Sequence, residues 1–250
     1  MKHGESELNH VFWKTCSQLG SLSVFYSSMS HGLPQGVTKS LMEAEEVGEA
    51  LYKDGTFADL LTEDEYHSMM REDRKQLFQK GKDDAKGMLD AVAVVFAHGV
   101  LDACVYGYLE VLSLSTPESF KSYTEKKQVC LSEVESKSYD QLHEEKLTTF
   151  MEGTVERQSL MCKLDKLHEI AQPKNTQLNP YHKYDRERLD RFDKARHDIV
   201  HGNSWTSYSI KFETEFYYWY LLNSYFVRVV AKKTGLKLSQ EGREKHFIGL

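Results

Sequence analysis

The chain of 250 residues is 40% hydrophobic and 28% charged, enough apolar material for one large domain or two small ones and too much for a disordered chain. Its formal charge of −6 excludes a bulk polycation, so any contact with nucleic acid requires a local patch. Four cysteines (Cys16, Cys104, Cys130 and Cys162) stand far apart with no C-x-x-C pair, which argues against a structural zinc site and a disulfide scaffold.

The opening stretch, MKHGESELNH, lacks the charged-then-apolar layout of a signal peptide. Met88 to Leu114 is apolar almost all round but contains Asp90, His98, Asp102 and Glu110. A central acidic residue costs about 2.5–3.5 kcal/mol on insertion into a membrane, so this segment reads as a buried core helix. The expectation is a soluble, cytoplasmic protein with no membrane contact.

In chain order, Leu8, Val11, Phe12, Leu19, Leu22 and Phe25 predict a first helix from about Ser6, ending before His31-Gly32-Leu33-Pro34. Thr38 opens a second helix to about Lys53, with Asp54-Gly55 as its stop. Thr62-Glu63-Asp64-Glu65 is a capping box, followed by a charged helix to about Lys80 that Gly81 separates from the long apolar helix. Ser115-Thr116-Pro117 ends that helix, and Glu118 to Tyr139 reads as a short helix with loops. Asp140 opens a helix to about Ala171, and residues 172–180 read as a plain loop. Tyr184 to His201 forms the next helix, stopped by Gly202-Asn203. A last helix from about Glu213 to Lys233 stops at Gly235. Apart from a short piece around Tyr208–Phe212, strand signals are nearly absent. The class is all-α: a helical bundle in residues 81–250 with an N-terminal helical extension in residues 1–80.

The chemistry concentrates in Leu189 to Asn203. On a wheel of about 100° per residue, Leu189, Phe192, Ala195, Ile199 and Val200 share an arc of roughly 140° that includes Arg196. Asp190, Asp193, His197 and His201 lie beside it, within about 80° of one another. Two readings are open. Arg196 pairs with a carboxylate in the core while the histidines are simply exposed, or the three form a site. His201 falls in the last turn, at the negative end of the helix dipole, which attracts a cation. Gly202 follows it and gives the imidazole little cover.

Arg196-His197-Asp198-Ile199-Val200-His201, continued by Gly202-Asn203, resembles the Arg-x4-His motif of HEPN domains (higher eukaryote and prokaryote nucleotide-binding). The resemblance rests on these eight residues and their helical surroundings, from about Met88 to Lys233. It implies a four-to-five-helix bundle that dimerises and brings two motifs together. It further implies a ribonuclease needing neither metal nor cofactor, with Arg196 and His201 at the signature positions and His197 at the polar position between them. Some family members have lost the motif and serve as RNA-binding or scaffold modules. The toxins modified at a tyrosine two residues beyond the histidine are a poorer match, since Asn203 stands there.

Those residue types suit metal-independent cleavage of single-stranded RNA. Imidazole serves as acid or base near neutrality, and the arginine fork fits phosphate oxygens. One copy is short of groups, so a homodimer with a shared site is expected, as are an RNA substrate and an antitoxin or regulatory partner. The biological role expected is that of a toxin or defence effector. His98 and Asp102, one turn apart on the apolar helix, either satisfy each other or support the site together with Asp193. His197-Asp198-Ile199-Val200-His201 mimics the zinc-protease H-E-x-x-H, but aspartate replaces the glutamate and no third ligand follows. The aromatic run Phe216 to Tyr220 reads as core and dimer interface, with base stacking open to part of it.

Overall fold

The computed structural model describes residues 3–53, 62–124, 137–201 and 212–239. They form seven α-helices and one two-stranded hairpin, an all-α helical bundle. The helices are α1 (His3–Lys53), α2 (Glu63–Ser115), α3 (Lys121–Thr124), α4 (Tyr139–Phe150), α5 (Leu160–Ala171), α6 (Arg186–His201) and α7 (Phe212–Thr234). A 3₁₀ turn, Pro117–Phe120, leads into α3, and a π-helical turn, Met151–Val155, follows α4.

The two longest helices lie antiparallel. A Cβ on Gly4 would meet Ser115, one on Gly107 would meet Val11, and one on Gly81 would meet Val37. The two are about 77 and 80 Å long at 1.5 Å per residue. The expected breaks at His31–Pro34 and at Gly81 are therefore absent. Pro34 removes one backbone hydrogen bond, the one the Ser30 carbonyl would accept, but α1 continues through it with the partner helix running alongside. Gly81 costs only about 1 kcal/mol in a helix interior and faces Val37 at close range. The capping box at Thr62 forms as expected, with the Thr62 amide donating to Glu65 Oε2 at 2.9 Å. The Asp54–Gly55 stop lies outside the described residues, as do 208–211 of the expected short strand; Phe212 begins a helix.

Buried residues reach only to Tyr26 on α1 and begin at Leu89 on α2. Between those levels no described side chain is buried, so residues 27–53 and 63–88 form a two-helix arm. Leu8, Phe12, Cys16 and Leu19 of α1 belong to the same core as α2, α5, α6 and α7. No break in α2 marks residue 80.

The single helix expected from Asp140 to Ala171 is two. Ser138 caps α4 in a capping box with Gln141, and Ser159 caps α5 by accepting from the Cys162 amide. The π-helical turn between them carries Gly153, the weakest helix former of the stretch. A hairpin, β1 (Gln177–Asn179) against β2 (His182–Lys183), begins in the expected plain loop after α5 and runs past its end at residue 180. Leu178 is buried beneath it, and Arg228 donates to the Leu178 carbonyl at 2.6 Å.

The apolar part of α2 occupies the centre of the bundle. By length and composition it passes as a membrane span, and just over half of that window is buried in the fold. Of its ionisable residues Asp90, His98, Asp102 and Glu110, the first three meet other helices. Asp90 accepts from the Tyr26 hydroxyl of α1 at 2.5 Å and from the Phe212 amide of α7 at 3.4 Å. His98 pairs with Asp193 of α6 and Asp102 with Lys163 of α5. Glu110 holds Tyr106 on its own helix, and burial raises its carboxyl above the usual range, with Glu7, Glu156 and Glu152 adding to the rise. Polar groups on the central helix thus set the rotation of its neighbours.

Candidate active site

Helix α6 starts where Asp185 Oδ1 accepts the Arg188 amide at 2.9 Å. Its core face is the predicted arc. Leu189, Phe192 and Ala195 are buried, Ile199 packs against the core, and Phe192 lies 4.8 Å from the Trp219 ring. Val200, placed on that arc by the wheel, is instead exposed, because it sits in the last turn where the packed neighbours end.

The motif residues occupy the end of this helix. His197 and His201 are both exposed, and their ring centroids are 4.7 Å apart at 48°. Arg196 is half-buried, and among the described residues no hydrogen bond or ion pair engages it. The expected core carboxylate for its guanidinium is thus not found among them. Gly202 and Asn203 lie outside the described residues.

The supporting residues are rearranged relative to expectation. His98 and Asp102 do not satisfy each other. His98 Nε2 donates to Asp193 Oδ1 at 2.6 Å, and its ring packs 5.6 Å from Phe192. Asp193 lies one turn before His197, so this bond fixes the rotation of α6 that turns the histidine edge outward. Asp102 is turned to Lys163 Nζ at 2.7 Å. Lys163 is the residue that sequence reasoning missed. Its side chain is 2% exposed and lies over the Tyr106 ring at 5.7 Å. The signal was present: on a wheel, Lys163 falls in the arc of Leu160, Leu164, Leu167 and Ile170, where a charge requires a partner.

A second feature lies at the far end of α2. A cavity of about 520 Å³ opens between α1, α2 and α4, lined by Tyr106, Glu110, His143 and Glu152 among others, and touches none of the motif residues. Among the described residues no group of three or more His, Cys, Asp or Glu is placed to hold a metal ion.

Arg196, His197 and His201 together offer a permanent cation with two titratable rings on one solvent-facing helix end. That set can bind a phosphodiester and move protons on and off its oxygens. Comparison with protein-family models, with curated proteins and with solved structures finds no match.

Proposed function

We propose that the protein is a metal-independent endoribonuclease of HEPN type that cleaves single-stranded RNA. The reading is supported chiefly by one observation: two exposed imidazoles 4.7 Å apart share a helix end with an arginine that no described residue engages. One imidazole takes the proton of a 2′-hydroxyl, and the 2′-oxygen attacks the adjacent phosphorus. The P–O5′ bond breaks, and a second imidazole, now as acid, gives its proton to the leaving 5′-oxygen. The products are a 2′,3′-cyclic phosphate and a 5′-hydroxyl. Arg196 meets the charge that builds on the equatorial oxygens.

A homodimer that faces two motifs supplies the base and the acid from different copies, with His201 and His197 as the groups available. Unrestrained cleavage of single-stranded RNA harms its own cell, which fits a toxin or defence effector held in check by a partner.

The test is incubation of the purified protein with mixed single-stranded RNA in EDTA. Cleavage that survives chelation and disappears when the RNA is 2′-deoxy supports the reading. Binding without cleavage replaces it with a catalytically silent RNA-binding module.

A further inference from the structure

Resting on that reading, we propose that the hairpin before α6 is where the substrate strand is held: Tyr181 stacks on a base of single-stranded RNA while Lys183 meets a neighbouring phosphate. Tyr181, at the hairpin tip, is 89% exposed, and its backbone is fixed. Asn179 Oδ1 accepts from the amides of Tyr181 and His182 at 2.9 and 2.7 Å, and the Tyr184 amide closes onto the Thr176 carbonyl at 2.8 Å. An aromatic ring presented on a rigid support loses little freedom on binding.

Its surroundings suit a nucleotide. His182 meets Tyr217 edge-on at 5.8 Å, and Tyr217 is itself 54% exposed. A concavity of about 470 Å³ runs from Tyr181 and His182 past Lys183 and Arg186 to Tyr218. Residues 172–188 carry four cations, Lys174, Lys183, Arg186 and Arg188, in a chain of net charge −6. Arg186 and Arg188 are committed to Asp165 and Glu215, but no ion pair among the described residues engages Lys183. Bases stack on exposed aromatics without regard to sequence, and nearby cations follow the backbone.

The platform is also aligned with the motif. On the α6 wheel, Arg186 falls on the same edge as His197 and His201, within about 60°. The rise from Arg186 to His201 is about 22 Å, which a strand at the stacked spacing of about 3.4 Å covers in roughly seven nucleotides. The substrate is therefore a single strand engaged at both ends of one helix.

The experiment uses labelled RNA of twenty and of four nucleotides, with His201→Ala as the background for binding and the wild-type background for cleavage. Tyr181→Ala should weaken binding of the longer RNA by roughly 5- to 150-fold, the range of one lost base stack. Tyr181→Phe should restore it, and Lys183→Ala should weaken it and flatten its salt dependence. In cleavage, Tyr181→Ala should raise KM with kcat unchanged, and the four-nucleotide RNA should show no difference. Cleavage in EDTA with an unaltered KM for Tyr181→Ala overturns the platform and leaves the nuclease standing. Tyr181-dependent binding without cleavage overturns the nuclease and leaves the platform. Binding of polyglutamate, but not of RNA, through Tyr181 overturns it in favour of an acidic protein partner.

Discussion

Among the described residues Lys163 is a charge with one ionic partner, and removing that partner should be costly. Its side chain is 2% exposed, and its Nζ reaches Asp102 Oδ2 at 2.7 Å. Asp102→Ala leaves the ammonium buried over the Tyr106 ring with no carboxylate among the described residues to pair it. Breaking a buried pair from one side costs about 3–5 kcal/mol, and the 31% exposure of Asp102 lets water temper the loss toward about 3. For a chain of this size that lowers Tm by about 6–12 °C. The double variant Asp102→Leu with Lys163→Met removes both charges, and its stability should return to the wild-type level or above it, since apolar replacement of a whole buried pair is often neutral or favourable. Urea unfolding followed by circular dichroism at matched m-values measures both. A loss below about 1 kcal/mol for Asp102→Ala, or a double variant as weak as the single, refutes the reasoning. Because Asp102 turns toward α5 and away from His98, cleavage per folded molecule should stay at the wild-type rate in both.

The remaining expectations concern the motif, the assembly and pH. His201→Ala should abolish RNA cleavage with affinity nearly unchanged, because acid–base catalysis contributes 10²–10⁴-fold and little binding; His197→Ala should fall between it and wild type, and a folded His201→Ala that cleaves at full rate removes the nuclease assignment. Arg196→Ala should lower both affinity and rate, and Arg196→Lys should rescue little, since an ammonium lacks the planar fork; melting curves beside the rates separate this from loosening of the half-buried position. Light scattering should show a homodimer at micromolar concentration, and a fully active monomer refutes the shared site. Burial holds the His168 imidazole below its ordinary range, only partly opposed by Asp165, so the unfolded chain binds its proton first. Stability should therefore fall as pH drops below about 6.5 toward the folded-state value, and His168→Gln should flatten that slope; an unchanged slope refutes the assignment.

Fold class was legible because the apolar residues repeat at helical spacing through nearly every segment, and local chemistry fixed several ends. Thr62 and Glu65 form the predicted box, and Gly235 stops α7 at φ +72°. Pro34 and Gly81 misled because a breaker is a local cost, whereas α1 and α2 pair along their length and offset it together. The split between α4 and α5 and the hairpin after α5 escaped for a related reason. Asn179 and Arg228 hold the hairpin through bonds to backbone that no periodicity records. On α6 the core arc was readable, but the partners of His98 and Asp102 were not. Residues one turn apart look like partners on a wheel, while the actual choice was made by Asp193 and Lys163 arriving from other helices.

The same geometry separates what holds the protein together from what is proposed to act. On α6, Leu189, Phe192 and Ala195 are buried, while His197 and His201 project from the opposite edge. Among the described residues neither histidine has a hydrogen bond or ion pair to another helix, so replacing either should leave the bundle intact. Arg196 stands between the two faces and His98 and Asp193 tie them together, so only there do stability and activity become coupled. His98→Gln is the informative change, because glutamine keeps a donor for Asp193 on a flexible chain in place of a rigid ring. It should preserve most of the stability while loosening the rotation of α6, so cleavage falls further than RNA affinity. Equal loss of both, together with lowered Tm, would mean that the bond serves packing alone.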